Sequence, residues 1–133
     1  MATPPQQQIL LHLQSPPPAQ RIMRMQGSEF SAGAIVLVSL NTPREKFWGA
    51  ILAISAAGVS LRGIDLQSFE DFMRQVKAGD EVTPSAVFFP MHRIERIELD
   101  QRNGDIPSMQ ERFENKTGQS FHGLFSASGS SKV

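Results

Sequence analysis

Short runs of apolar and β-branched residues constrain the fold of this chain more than any other feature of its sequence. They span residues 34–40, 45–55, 59–64, 86–89 and 93–99. Turn formers such as Asn41-Thr42-Pro43 separate them, and only one helical pattern intervenes. Alternating βαβ units and a parallel nucleotide-binding sheet are therefore excluded. We predict a mainly β fold with two short helices, in which five strands form a strongly bent antiparallel sheet closed as a small barrel.

Glycine and proline mark special positions in this pattern. Gly49 lies inside the second run, where a missing side chain allows a sharp bend or a close approach of the neighbouring strand. Gly58 is predicted to lie in the turn before the third strand, and Pro90 to interrupt pairing between the fourth and fifth strands.

Two segments have helical signals. Phe69, Phe72, Met73 and Val76 follow helical spacing after Ser68, and Asp71 is in capping-box position. This stripe predicts a helix before the fourth strand that covers one open end of the barrel or meets a neighbouring subunit. A second capping box, at residues 108–111, predicts a short helix after the fifth strand.

Composition divides the chain into three parts. Residues 1–19 are rich in proline and glutamine and predict a flexible tail. Residues 20–117 contain the barrel domain, and residues 118–133 form a small, polar, Gly/Ser-rich tail, in which Phe121, Leu124 and Phe125 could let part of it dock.

Charge and composition exclude several function classes. Thirteen basic residues balance thirteen acidic ones, so there is no broad electrostatic attraction to nucleic acid. The chain has no cysteine, and its three histidines are widely spaced, which argues against disulfides, a thiol nucleophile and a metal site. We expect a non-enzymatic, cytoplasmic protein without cofactor or membrane span.

Five residues are candidates for ligand binding. His92 and Arg93 lie at the predicted turn between the last two strands, and Arg96 follows in the fifth strand. A turn histidine bonded to backbone, and a mixed-charge edge with Glu95 and Glu98, are the structural alternatives. Lys46 and Trp48 could form a stacking or cation–π platform, although Trp48 also suits the core.

Two blocks of this chain resemble the Sm-like family of small β-barrels, which includes the LSm and Hfq-like proteins. Gly49, Ile51, Ile54 and Leu61 occupy the positions of a glycine and three later apolar residues in that family. The segment 90–97 is similar to the family's second block, with His92, Ile94 and Ile97 matching. The resemblance implies a five-stranded barrel that assembles into rings by pairing strands 4 and 5, with RNA as ligand.

Departures from the family bear on that ligand. Ser55 stands where the family places an aspartate that orders the RNA-binding turn, and Ala56 and Ala57 replace its base-contacting residues. Met91 replaces a lysine, and only His92 is retained. Since stacking and phosphate pairing are the main sources of single-strand affinity, a protein partner is at least as well supported as RNA.

A second resemblance, to the PilZ family, is an alternative. Ser55 and Gly58 match the Ser-x-x-Gly part of its cyclic-dinucleotide motif, and Arg21 and Arg24 are similar to its upstream arginines. Ala53 stands where an acidic or amide residue is expected, so a phosphate diester would lack part of its clamp. This resemblance implies a second-messenger sensor.

Overall fold

A computed structural model describes residues 29–126 of the chain. The chain divides into two units, Met1–Phe30 and Ser31–Val133, and the sheet and its helices belong to the second. The predicted N-terminal tail, 1–19, lies outside the described residues. The elements are β1 (Ile35–Leu40), β2 (Glu45–Ile54), β3 (Gly58–Asp65), a 3-10 turn (Leu66–Ser68), α1 (Phe69–Lys77), β4 (Ser85–Pro90), a second 3-10 turn (Met91–Arg93), β5 (Ile94–Leu99), α2 (Met109–Thr117) and α3 (Phe121–Phe125).

The strands form one antiparallel sheet in the order β4-β3-β2-β1-β5. This confirms a mainly β fold of five antiparallel strands with short helices. The prediction of a closed barrel is wrong, because β4 pairs only with β3 and β5 pairs only with β1. The sheet is open, and β4 and β5 are its two edges.

The sheet is nevertheless strongly curved. Phe47 lies opposite Asp65 on β3, whereas Phe89 lies opposite Val59, six residues away along the same strand. In a flat sheet that offset would separate the two phenylalanines by about 20 Å along β3. Their ring centroids are 4.8 Å apart, so β2, β3 and β4 must curl to bring them together.

The inner face of this curved sheet is buried although the sheet is not closed. Side chains on this face alternate with those that point toward the helices. The inner side chains of β1, β2 and β3 are at most 1% exposed: Val36, Val38, Leu40, Ile51, Val59 and Leu61. At the end of β4, Pro90 also lacks the backbone N–H that further pairing would use.

Gly49 lies at a close contact between β2 and β3, as the sequence predicts. It faces Gly63 across the two strands, and a β-carbon on Gly49 would lie 2.2 Å from the carbonyl oxygen of Arg62. Gly58, expected in a turn, is instead the first residue of β3, and a β-carbon there would meet the Phe89 carbonyl oxygen at 2.2 Å. Both glycines therefore permit close strand contacts.

The outer face of the sheet packs against the three helices through Trp48. Its ring is fully buried and touches the rings of Phe69, Phe113, Phe121 and Phe125, with centroids 4.8–5.7 Å away. The α1 stripe predicted from the sequence is buried in this cluster rather than over a barrel end. The helices thus bury the outer face of the sheet, whose inner face is also buried.

Asp100 connects this aromatic cluster to the start of α2. Its carboxylate accepts a hydrogen bond from Trp48 Nε1 at 3.0 Å, and from the backbone N–H groups of Met109 and Gln110 at 2.8 Å each. A carboxylate at a helix N-terminus also interacts favourably with the helix dipole. One side chain therefore fixes both the indole and the helix that covers it.

The capping box of α2 is confirmed. Ser108 accepts from the backbone of Glu111, and the Glu111 carboxylate accepts from the Ser108 backbone N–H at 2.8 Å. That backbone hydrogen bond, with help from Arg102, lowers the pKa of Glu111 below its ordinary value. The predicted box at α1 is wrong: Ser68 makes no side-chain cap bond, because the preceding 3-10 turn, capped by Asp65, already leads the chain into α1.

Helix α3 lies within the segment that composition assigned to a C-terminal tail. Ser120 caps it, and its two phenylalanines, Phe121 and Phe125, are at most 1% exposed. Their rings stack with centroids 4.2 Å apart. Among residues 29–126, no helix is long and apolar enough to cross a lipid bilayer.

Replacing Gly49 with alanine tests the role of the close contact between β2 and β3. The added β-carbon collides with backbone rather than with a flexible side chain, so Gly49→Ala should lower the free energy of unfolding by about 1–3 kcal/mol or more. Gly123→Ala in α3 is the matched control, because a β-carbon there meets nothing within 4 Å. Urea denaturation of both variants makes the comparison; equal midpoints would contradict the assigned contact.

Candidate functional site

A cleft of about 650 Å³ opens at the end of the sheet where β1 turns into β2. This volume falls in the usual range for sites that bind small molecules. We call it the turn-end cleft. Its lining residues are Ser39, Leu40, Pro43, Arg44, Glu45, Lys46, Asp65, Leu66, Gln67, Glu95 and Arg96.

Three of the lining side chains form a row across adjacent strands. Ser39 on β1 is directly opposite Lys46 on β2 and directly opposite Arg96 on β5. Directly opposed residues point to the same face of a sheet. The row lies on the face that packs against the helices, at the end where the Leu66–Ser68 turn, rather than a helix, borders it.

Ser39 is the most unusual residue of the row. It is 8% exposed, and its hydroxyl is buried without a hydrogen-bond partner in the protein. Buried hydroxyl groups in proteins are normally hydrogen-bonded, because leaving one unpaired is destabilising. The lining of the cleft therefore contains an unused hydrogen-bonding group.

The charges of the cleft are unevenly paired. Arg96 Nε lies 3.4 Å from the Glu98 carboxylate, and both side chains are largely exposed, which makes this ion pair weak. Within residues 29–126, neither Arg44 nor Lys46 makes an ion pair. Two cations at the cleft are thus uncommitted.

Arg93 is not among the lining residues and has a structural role. Its guanidinium donates to the carbonyl oxygens of Asn41 and Pro43 at 2.7 and 2.9 Å, and to the Glu45 carboxylate at 2.7 Å. The side chain is only 18% exposed. These bonds hold the β1–β2 turn in place, so Arg93 is committed to the turn that forms one wall of the cleft.

The other predicted ligand residues do not join the cleft. Trp48 is buried under the helices and offers no ring surface to a ligand. His92 is exposed in the Met91–Arg93 turn, next to the β2–β3 turn, where the Met91 N–H donates to the Ala57 carbonyl at 2.9 Å. The structure therefore brings together Lys46 and Arg96 and separates both from His92 and Trp48.

The residues of the cyclic-dinucleotide motif are only partly described. Ser55 accepts a hydrogen bond from the Ala57 N–H at 3.2 Å and so orders the β2–β3 turn. Gly58 follows in β3, whereas Arg21 and Arg24 lie outside the described residues.

Sequence reasoning missed Ser39 and Arg44. A signal for Ser39 was present, since it is the only hydroxyl residue in the apolar run 34–40. Arg44 has no comparable signal, because a charged residue next to a turn is usually only solvated. Its place at the cleft depends on how the β1–β2 turn folds.

Among known proteins, no family model matches the chain, and neither a curated protein nor a solved structure matches it. Within the part of the chain that the structure describes, histidine, aspartate and glutamate side chains form no group of three that could hold a metal ion. The candidate site is therefore defined by the geometry of the turn-end cleft.

Arg93 and Arg96 lie three residues apart and should respond differently to replacement by alanine. Arg93→Ala removes charged hydrogen bonds from a half-buried turn and should destabilise the fold by about 1–3 kcal/mol. Arg96→Ala removes one exposed ion pair and should change stability by less than about 0.5 kcal/mol. Chemical denaturation of the two variants checks this; a larger loss for Arg96→Ala would contradict the assigned roles.

Proposed function

We propose that this protein is a non-enzymatic, Sm-like binding module that self-associates through the two open edges of its sheet. The observation that carries the proposal is the state of β4. Among residues 29–126, nothing pairs with its outer side, and Phe88 in its middle is 54% exposed. An apolar unpaired edge strand is a template for another strand, and natural proteins usually cover it.

The two edges differ in a way that suits pairing between copies. The β4 edge, Ser85–Pro90, has no charged residue, whereas the β5 edge has Glu95, Arg96 and Glu98. Each strand has six residues, so one can pair with the other over its whole length. Because the surfaces are different, such contacts run head to tail and generate a ring or an open chain of subunits.

The composition supports a binding role rather than catalysis. The chain contains neither cysteine nor tyrosine. The open edges and the turn-end cleft instead provide surfaces for contact, and the Sm-like resemblance of Gly49 and of the segment 90–97 is consistent with subunits that join through edge strands.

Light scattering of the full chain tests self-association. At tens of micromolar we expect a mass several times that of one chain. Phe88→Glu should shift the protein toward monomer, since it places a charge on the apolar edge. Ile106→Glu is the matched control: Ile106 is 67% exposed but lies in the loop between β5 and α2, so this variant should remain oligomeric.

Two results would overturn the proposed assembly. The first is a monomeric parent protein at these concentrations. The second is an oligomer that dissociates equally in Phe88→Glu and Ile106→Glu, because the contact would then not depend on β4. Circular dichroism spectra that match the parent would establish that each variant is folded.

RNA is the ligand that the family resemblance implies, and its proposed site is the pair of adjacent turns at 55–57 and 91–93. Only His92 there retains the family's residue type. The ring of Phe88 is exposed beside Gly58, but the Arg93 guanidinium is committed to the β1–β2 turn, so we expect weak RNA affinity at these turns. The purified protein should then show the 260/280 nm absorbance ratio of protein alone. A raised ratio that falls in His92→Ala would contradict this expectation.

A further inference from the structure

The turn-end cleft has the donor arrangement of an anion site. Lys46 and Arg96 flank Ser39 on the two neighbouring strands. Directly opposed residues have β-carbons about 5 Å apart, so the two cations start on the order of 10 Å from each other with the serine between them. Their long side chains can converge on a group that lies above Ser39.

The unpaired hydroxyl of Ser39 is a second, independent observation. It is buried in the lining of the cleft, on the same face as Lys46 and Arg96, and it has no hydrogen-bond partner in the protein. A hydroxyl in that position can donate to an oxygen of a bound anion, which would satisfy it.

The three carboxylates that line the cleft are held in different ways. The Glu45 carboxylate is bound to Arg93 at 2.7 Å, and the Asp65 carboxylate accepts from the Gln67 backbone N–H at 2.9 Å. Glu95 is the third carboxylate at the cleft, and it shares the lining with the uncommitted cations Arg44 and Lys46. Arg44, Lys46 and Arg96 therefore share the cleft with Asp65 and Glu95, and an anion is favoured by the position of Lys46 and Arg96 on either side of Ser39 rather than by an excess of positive charge.

We propose that the turn-end cleft binds a small phosphorylated molecule. Lys46 and Arg96 contact its phosphate oxygens, and the Ser39 hydroxyl donates a hydrogen bond to one of them. Arginine and lysine are the usual side-chain partners of phosphate, and the cleft volume of about 650 Å³ suits a ligand of metabolite size. Arg96 lies on β5, one of the two edges proposed to pair, but it is opposite Ser39 on the face that the helices cover, so the site does not need a second copy of the chain.

Isothermal titration calorimetry with inorganic pyrophosphate tests the proposal at constant ionic strength. We expect saturable binding that weakens by about tenfold or more in Lys46→Ala and in Arg96→Ala. Arg74→Ala is the matched control, because Arg74 is an exposed arginine on α1 outside the cleft, and its affinity should equal that of the parent. No binding at millimolar pyrophosphate, or an equal loss in Arg74→Ala, would overturn the proposal.

Ser39→Ala separates a ligand-binding role from a structural one. Since the hydroxyl has no partner in the protein, its removal should leave the melting temperature of the free protein unchanged or raise it. Pyrophosphate affinity should fall about threefold to tenfold. A lower melting temperature with unchanged affinity would overturn the assignment.

A short oligoribonucleotide is the second titrant. Binding of the oligoribonucleotide that is lost in Lys46→Ala and Arg96→Ala, without binding of pyrophosphate, would make the cleft part of an RNA surface and overturn the proposal. The Phe88→Glu variant should bind pyrophosphate with the affinity of the parent, whether or not the parent chain self-associates. The two proposals can therefore be contradicted separately.

Discussion

The contact between Gly49 and Gly63 is the constraint on which the rest of the structure depends. Where these residues face each other, β2 and β3 approach so closely that neither position has room for a β-carbon. The sheet curls across β2, β3 and β4, and the curl brings Phe47 against Phe89 from two strands away. The inner face is buried in the curved sheet, and the helices cover the other face.

Trp48 links the packing of the helices on the outer face of the sheet to the position of β2. It precedes Gly49 in β2 and points to the opposite side, where four phenylalanine rings from the three helices surround it. Asp100 binds the indole and the start of α2 together, at the end of β5. The register of the sheet therefore determines where the helices dock, because the indole and the carboxylate that receive them are fixed to it.

The same sheet leaves two regions without a partner among residues 31–126. Its edges are β4, which is apolar, and β5, which is charged. The turn-end cleft lies beyond the reach of the helices and has Ser39 in its lining. Arg93 contributes by holding the β1–β2 turn, which forms a wall of the cleft. Our two proposals, self-association and phosphate binding, thus concern the edges of the sheet and the turn-end cleft, which have strand β5 in common.

The amino-acid sequence by itself determined the strands, two helices, the capping box at Ser108 and the close contact at Gly49, because each depends on local periodicity or on a missing side chain. It also indicated Lys46 and Arg96 as polar candidates. Only the tertiary structure decided that the sheet stays open, that α3 docks, and that Ser39 lies between those two cations. These features depend on contacts between residues far apart in the chain, and local patterns contain no information about which distant strands become neighbours.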